Sequence, residues 1–523
     1  MSAGKISPSL SSELGEIRNS RIPFNGKPLF ESIISEFSED YDIFLALDHK
    51  DAVGKDYAEN SNCSIIEIDG DCDLADGVLM AIRKIQESIQ FDRPMKIVFG
   101  DTLVKDVPLT EFIGVVTPQS DFCDWTSLSS TKGNLSFSTP GIEEQLTVAG
   151  FFGLGSLQRF SNCLENEDFY SAICKYFSAT RNQEELIMKL DYWLDFGRLN
   201  SYYKSKNNAI LSRHFNSLTY LPNKHAIVKS SKNIDKVDSE ILWYLRIREM
   251  GLEFLAPRLL EKQIGKGHYE VEFIAGLSAA EVFIFAEKTF GYWERFFSSV
   301  KEYLKSYYSP IFEANLSLNF QKKAIVDEYS ERLIERLGVL KSTSPDLFTY
   351  RFDSPLGPVT IDELATDMFE WLKIYNPRPV LITHGDLCLG NVFFDDRIGR
   401  ILAVDPRGIS KDSNRFDFEY DIAKLSHSIE GGYDYLASNL FRVTLKSQSW
   451  NLQLPSQSNC EKAREVWRRS LIQIRAELGI TSSFDRRLEA YLFLTMTPLH
   501  KESKPRQIAC ICNAARIFYR DQK

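Results

Sequence analysis

Asp386 and Asn391, in THGDLCLGNVFF (Thr383 to Phe394), and Asp405, in ILAVDPRG fourteen residues after Asn391, bring two carboxylates and a carboxamide into a short stretch of chain. Together they form a hard, oxygen-only donor set of the kind Mg²⁺ requires when it bridges phosphates. Phosphoryl transfer also needs a group that accepts or orients the proton of the attacking hydroxyl, and an Asp outside the metal shell does that. The apolar runs Val380-Leu381-Ile382 and Val392-Phe393-Phe394 predict two strands flanking a loop, where catalytic groups are commonly held. A further strand, Ile401 to Val404, leads into Asp405, so the three groups should meet at one end of a hairpin. Taken singly, HGD reads as a turn with a capping Asp, and Asp405 as the start of an Asp-Pro turn.

Two upstream residues favour the chemical reading. Lys229 ends the apolar run Ala226-Ile227-Val228, and Glu240 lies in a helix predicted to begin near Asp235. A strand lysine fixed by a glutamate on the next helix can hold the phosphates of ATP. Nearer the start, Asp101 ends the segment KIVFGD and Asp195 stands in DYWLDFGR. Both are delivered by apolar segments and could jointly hold Mg²⁺ against the phosphates of a nucleotide.

These groups need elements to position them. The first two hundred residues alternate strand-like runs, such as Asp42 to Leu47 and Phe112 to Val116, with helix-like ones, such as Asp76 to Gln90. Several strands are apolar on both faces, which predicts an α/β domain with a central, largely parallel sheet. The polar stretch NSYYKSKNNAILS breaks that rhythm, so the domains are expected at 1-205 and 206-523. A short strand pair turning at Pro222-Asn223 opens the second domain, which turns helical from Asp235 onward. Phe290, Trp293, Phe297, Val300, Leu304 and Tyr307 form one apolar stripe, read as core, and QKKAIVDEYSERLIERLG reads as an amphipathic helix ending at Gly338.

Composition narrows the functional classes. The chain has 523 residues, 43% hydrophobic and 26% charged, with a formal net charge of -10. An acidic balance disfavours nucleic-acid binding and favours small-molecule chemistry. Nine scattered cysteines form neither a disulfide framework nor a metal-spaced pair. With no membrane span and no signal peptide, a cytoplasmic location is expected. The sequence leaves the oligomeric state open.

HGDLCLGN, VDPRG and the following YDIAKLSHS resemble the aminoglycoside phosphotransferase and choline kinase family, whose fold is similar to that of protein kinases, over about 210 to 520. The resemblance implies a small lobe at about 206-275 and a helical large lobe at about 276-523. It implies Asp386 as the catalytic aspartate, Asn391 and Asp405 as Mg²⁺ ligands, and Lys229 and Glu240 as the ATP-phosphate pair. VEFIAG, containing Glu272, becomes the hinge against adenine; His384 supports the loop, and Asp421 buttresses it from a helix start. The nucleotide-covering loop, near SRHFNSLTY, is not glycine-rich.

The N-terminal words KIVFGDTLV, DYWLDFGRLNSYYKSK and NGKPLFESII, with VAGFFGLGSLQRF, resemble the sugar-phosphate and phosphocholine nucleotidyltransferase family. That family has a doubly wound sheet and attaches a nucleoside monophosphate to a phosphorylated substrate. The resemblance implies Asp101 and Asp195 as metal ligands, Lys27 near phosphate, Gly77 near the base and Gly4 in the nucleotide-binding opening loop, with CTP as the first choice of triphosphate. The opening departs from the family pattern: Ala3-Gly4 is kept, but there is no second glycine, the usual arginine is missing, and Asn19 stands where a lysine is expected. Lys5, Arg18 or Arg21 are candidates to replace that charge.

Two readings follow. In the favoured one, the C-terminal domain phosphorylates a hydroxyl of a sugar, polyol or amino alcohol, and the N-terminal domain joins that phosphate to a nucleotide. Fusion raises the local concentration of the intermediate. Such fusions resemble enzymes that make activated precursors for capsule or lipopolysaccharide decoration. In the other, the N-terminal domain is a non-catalytic sensor of nucleotide or sugar phosphate, attached to a single-activity kinase.

Overall fold

The computed structural model describes residues 1–37, 39, 41–59, 61–89, 91–117, 125–131, 134–139, 145–180, 182–208, 216–308, 317–409 and 416–520. The chain divides into two compact units, Met1–Ala209 and Ile210–Lys523, both mixing helices and strands. Among the described residues no helix is long and apolar enough to cross a membrane, and the eight described cysteines are free thiols.

In the first unit, β1 (Phe44–Asp48) and β2 (Ser64–Ile68) pair in parallel. Met1 and Ser2 lie between β1 and β3 (Met95–Val98): the Ser2 amide donates to the Ala46 carbonyl at 3.0 Å, and the terminal amine donates to the Val98 carbonyl at 2.8 Å. Past β4 (Thr102–Val104) runs β5 (Phe112–Val116), and β6 (Leu146–Leu154) inserts antiparallel between β3 and β5. β7 (Ile187–Lys189) returns parallel to β5. The sheet is therefore mixed, not largely parallel as its apolar strands suggest. Burial on both faces makes strands apolar whatever their direction, so the pattern carries no information about β6.

Helix α1 (Leu74–Ser88) begins at Asp73, whose carboxylate caps the Asp76 amide, and it buries Val78, Leu79 and Ile82 against this sheet. An apolar cavity of about 520 Å³ opens beside Met1 between β1 and β3, and neither Asp101 nor Asp195 lines it. The described part of the polar stretch expected to hold the domain boundary lies in helix α2 (Leu199–Asn208) of the first unit. Tyr202, fully buried, anchors it by donating to the Pro23 carbonyl at 2.8 Å. One buried aromatic outweighs a polar composition.

The second unit opens with an antiparallel four-stranded sheet in the order β8 (Asn216–Leu221), β9 (Ala226–Ser231), β11 (His268–Glu272), β10 (Leu259–Gln263). Helix α3 (Ile234–Glu249), capped by Asn233, packs on it. The helical remainder includes α4 (Phe290–Tyr307), α5 (Ser317–Thr343), α6 (Phe418–Ile429), α7 (Arg487–Met496) and α8 (Lys504–Phe518). Along α4 the expected stripe is buried except Phe290, which is 42% exposed; Phe296 and Tyr303 join it instead. Gly338 does not end its helix. α5 continues to Thr343 because Leu340 and Leu347 beyond it are fully buried, which offsets the roughly 1 kcal/mol that an interior glycine costs.

Candidate functional site

In the second unit the hairpin β12 (Val392–Asp395) and β13 (Arg400–Ala403) pairs in the register Val392↔Ala403. The Val404 amide donates to the Asn391 carbonyl at 2.9 Å, so the hairpin base brings Asn391 beside Asp405. The run Val380-Leu381-Ile382 forms only a two-residue strand, Pro379–Val380, and it pairs with Phe416–Asp417, not with the hairpin. Asn391 turns its amide nitrogen to Asp386, donating to the backbone carbonyl at 2.9 Å and to Oδ2 at 3.3 Å. Its carboxamide oxygen is thereby left as the acceptor end.

The loop around Asp386 is fixed from below. Asp421, in the first turn of α6, accepts the amides of His384 at 2.8 Å and Gly385 at 2.7 Å, and the Tyr307 hydroxyl donates to it at 2.8 Å. Burial pushes the Asp421 carboxyl up to about 6, against these donors. His384 is fully buried, with its ring edge-on to Trp243 at 5.5 Å, and burial pushes its imidazole down to about 4, so it is neutral at pH 7. Gly385 sits at φ +75°, and a Cβ there would lie 2.8 Å from that of Arg407.

Asp386 itself is half-buried. Burial opposes its ionisation, but the Lys424 ammonium, 2.9 Å from Oδ1, outweighs burial and holds the carboxyl below the usual range. Lys424 lies one turn beyond Asp421 on α6.

Lys229, buried on β9, contacts Glu240 of α3 at 2.7 Å and also reaches the carboxylate of Asp405. Burial works against its ammonium, but Asp405 and Glu240 overcome it and raise the Lys229 pKa above its ordinary value. The Tyr269 hydroxyl donates to Glu240 at 2.8 Å. Asp405 adopts φ +59°, a backbone conformation that costs a non-glycine residue free energy and tends to mark functional loops. Gly408 permits the following segment to touch α3: a Cβ there would lie 2.4 Å from the Ser239 hydroxyl.

Glu272, at the end of β11, turns to a separate cavity of about 530 Å³ that it lines with Tyr244, Arg248, Arg258 and Arg400; its amide donates to the Arg258 carbonyl at 2.9 Å. The nucleotide-covering segment expected near SRHFNSLTY lies partly outside the described residues.

In the first unit, β4 pairs with β14 (Trp193–Asp195). The Phe196 amide donates to the Asp101 carbonyl at 2.8 Å. Both carboxylates converge over Gly197: a Cβ there would lie 2.6 Å from Asp101 Oδ2 and 3.3 Å from Asp195 Oδ1. Burial, then repulsion from Asp195, pushes the Asp101 carboxyl up to about 6. Asp195 is also raised by burial, against donors that include the Trp125 indole at 3.2 Å and the Gly197 amide at 3.1 Å. A buried and a half-buried carboxylate converging where only a glycine leaves room offer a divalent cation two oxygen ligands.

The other N-terminal candidates make contacts of their own. Gly4 accepts the Asn19 amide at 2.9 Å through its carbonyl, Lys27 pairs with Glu31 at 3.1 Å, and Gly77 lies in α1 against Cys72 and Ile68. Arg18 binds Asp48 and, at 2.9 Å, Asp71; Lys5 reaches Asp71 at 3.0 Å.

No family model and no curated protein matches the sequence. Among solved structures, an aminoglycoside phosphotransferase from Streptomyces rimosus shares 12% identity over 55% of this chain and 91% of its own, with a TM-score of 0.35. Choline kinase LicA from Streptococcus pneumoniae shares 12% over 58% of this chain and 90% of its own, at 0.35. A nucleoside-diphosphate-sugar pyrophosphorylase from Vibrio cholerae shares 11% over 39% of this chain and 97% of its own, at 0.31.

Sequence reasoning passed over Lys424, Arg407 and Trp125. The first had a signal. Asp421 and Lys424 are three apart, so on a helix they share a face, and a side chain beside the one that holds the loop reaches the same loop. Trp125 had none, since only the fold brings it to Asp195.

Proposed function

We propose that the second unit transfers the γ-phosphoryl group of ATP to a hydroxyl of a small molecule. The observation that carries this is the contact of Lys229 with both Glu240 and Asp405, beside a loop that presents Asp386 and Asn391. Lys229, kept charged by its two carboxylate partners, binds nucleotide phosphate. Mg²⁺, held by the Asn391 oxygen and Asp405, would neutralise charge on the β- and γ-phosphates. Asp386, kept ionised by Lys424, orients the acceptor hydroxyl. The acceptor oxygen bonds to the γ-phosphorus, the bond from that phosphorus to the ADP oxygen breaks, and the hydroxyl proton passes to the Asp386 carboxylate. Acceptor-dependent ADP release across a panel of alcohols tests the reading; it requires that Lys229→Ala lose nucleotide binding.

The convergence of Asp101 and Asp195 supports a second activity, transfer of a nucleoside monophosphate from a triphosphate, CTP first, onto a phosphorylated metabolite. The ion pairs that occupy Arg18 and Lys5 favour the sensor reading instead, because they tie up cations an incoming triphosphate needs. Pyrophosphate release from each common triphosphate, in the presence of the kinase product, decides between them. Release abolished in the Asp101→Ala/Asp195→Ala variant supports transfer, and no release from wild type supports the sensor.

A further inference from the structure

Around Asp386 gather side chains from α5, α6, α7 and the VDPRG segment, and three of them, Arg332, Arg407 and Lys424, are cations. Arg407 is packed onto the catalytic loop: its amide donates to the His384 carbonyl at 3.0 Å, and its guanidinium lies 5.5 Å from the ring of Tyr420. Arg332, on α5, lies over Tyr329, whose ring is 5.8 Å from that of Tyr420 and 5.3 Å from that of Tyr491. Glu328 serves both arginines, at 2.6 Å from Arg332 and 4.0 Å from Arg407. Lys424 closes the group against Asp386 at 2.9 Å.

The charges among these described residues do not cancel. Among these five, Lys424 offsets Asp386 and Glu328 offsets one arginine, which leaves one guanidinium in excess; behind them lie two further carboxyls, Asp421 under the loop and Asp417 accepting the Tyr329 hydroxyl at 3.1 Å, and burial raises both toward the neutral form. Tyr420, in the middle, registers the imbalance. Burial raises a phenol, yet Arg407, Lys424 and Arg332 together bring Tyr420 below its usual pKa. An acceptor with its own ammonium would meet this field as a like charge, and like charge at a site selects against a partner as strongly as a clash. An acceptor with a carboxylate or phosphate would complete it.

We propose that the acceptor is an anionic polyol, a sugar acid or sugar phosphate, whose negative group is bound by Arg332 and Arg407 while its hydroxyl faces Asp386. This rests on the phosphotransfer reading and names its substrate class: aminoglycosides, choline and other cationic alcohols are excluded.

The test uses compounds matched in size and differing in charge: glycerate and glycerol 3-phosphate as the two anions, glycerol, and 3-amino-1,2-propanediol. Binding to the full chain is followed by ligand-observed NMR with Mg²⁺ and a non-hydrolysable ATP analogue. Both anions should bind at least about tenfold more tightly than glycerol, and the amine most weakly. Arg332→Gln and Arg407→Gln should each weaken the anions by about tenfold and leave glycerol within about twofold, with Arg332→Lys restoring most of the preference. Tighter binding of the amine, equal binding of all four, or no binding of any up to about 100 mM overturns the proposal, as does an anion preference that survives in the double variant. Binding of the ATP analogue alone, measured on the same samples, separates failure of this inference from failure of the phosphotransfer reading.

Discussion

The two units each bring carboxylates together by pairing short strands, but they treat the resulting charge in opposite ways. Asp101 and Asp195 converge over Gly197, and burial pushes both carboxyls up, with repulsion from Asp195 adding to the rise at Asp101. In the second unit each carboxylate has a lysine in contact, Lys424 on Asp386 and Lys229 on Asp405. A pair that repels is completed by a cation from outside, whereas a carboxylate already matched by an ammonium stays ionised and is able to orient a hydroxyl or to exchange its lysine for a metal. The first arrangement suits a site made by its ion, the second a site organised before its ligands arrive.

The largest expected effect tests the second arrangement at its centre. Asp386→Asn should lower phosphotransfer turnover by about 10²-fold or more while ATP binding persists, the scale of a positioned acid–base group. Near-normal turnover would remove Asp386 from its role.

Lys424 is a positioning residue, and its loss should be smaller and differently shaped. Lys424→Met leaves burial unopposed at Asp386, so the acidic limb of kcat/KM should move up by about one pH unit, with turnover down about tenfold. A uniform loss with an unmoved limb would mean that Lys424 only supports the fold.

The first unit gives the opposite sign. The Asp101 carboxyl, ordinarily at 3.8, stands at about 6 when folded. Between these values the folded state holds more protons than the unfolded one, so stability falls as pH rises from about 4 to 6 and is level above. Asp101→Asn should therefore stabilise the unit at pH 7, by up to about 2 kcal/mol, in denaturant unfolding followed by Trp fluorescence. Added Mg²⁺ should stabilise the wild type at pH 7, less at pH 5, and not the variant. Destabilisation by Asp101→Asn would show that the pair is held by its hydrogen bonds and not strained by its charge.

Outside both sites, Gly338→Ala is the smallest change. A Cβ at Gly338 meets nothing within 4 Å, and the residue is exposed inside α5, so the variant should gain about 0.5–1 kcal/mol with activity unchanged.

The groups that meet at the second site were legible because each is local. Asp386 and Asn391 share one loop, Asp405 follows one hairpin later, and Lys229 and Glu240 lie on consecutive elements; that the two groups, 176 residues apart at Lys229 and Asp405, meet was implied by the family resemblance and not by spacing. The first site was legible only as two carboxylates at the ends of apolar segments, 94 residues apart. What escaped was direction and extent. The apolar strands hid that β6 runs antiparallel, Gly338 was overruled by the buried leucines beyond it, and the polar α2 is anchored by the buried Tyr202 and Ser205.

The amino-acid sequence by itself determined which residue types are available for chemistry and that the chain mixes helices and strands, because residue type and periodicity are properties of short stretches. Only the tertiary structure decided the charge each group carries. Whether Asp386 is ionised depends on Lys424, thirty-eight residues away, and the positive field around Tyr420 depends on Arg332, Arg407 and Lys424 arriving from separate elements. Electrostatic interactions act through space and are set by burial, so they exist only once the chain has closed on itself.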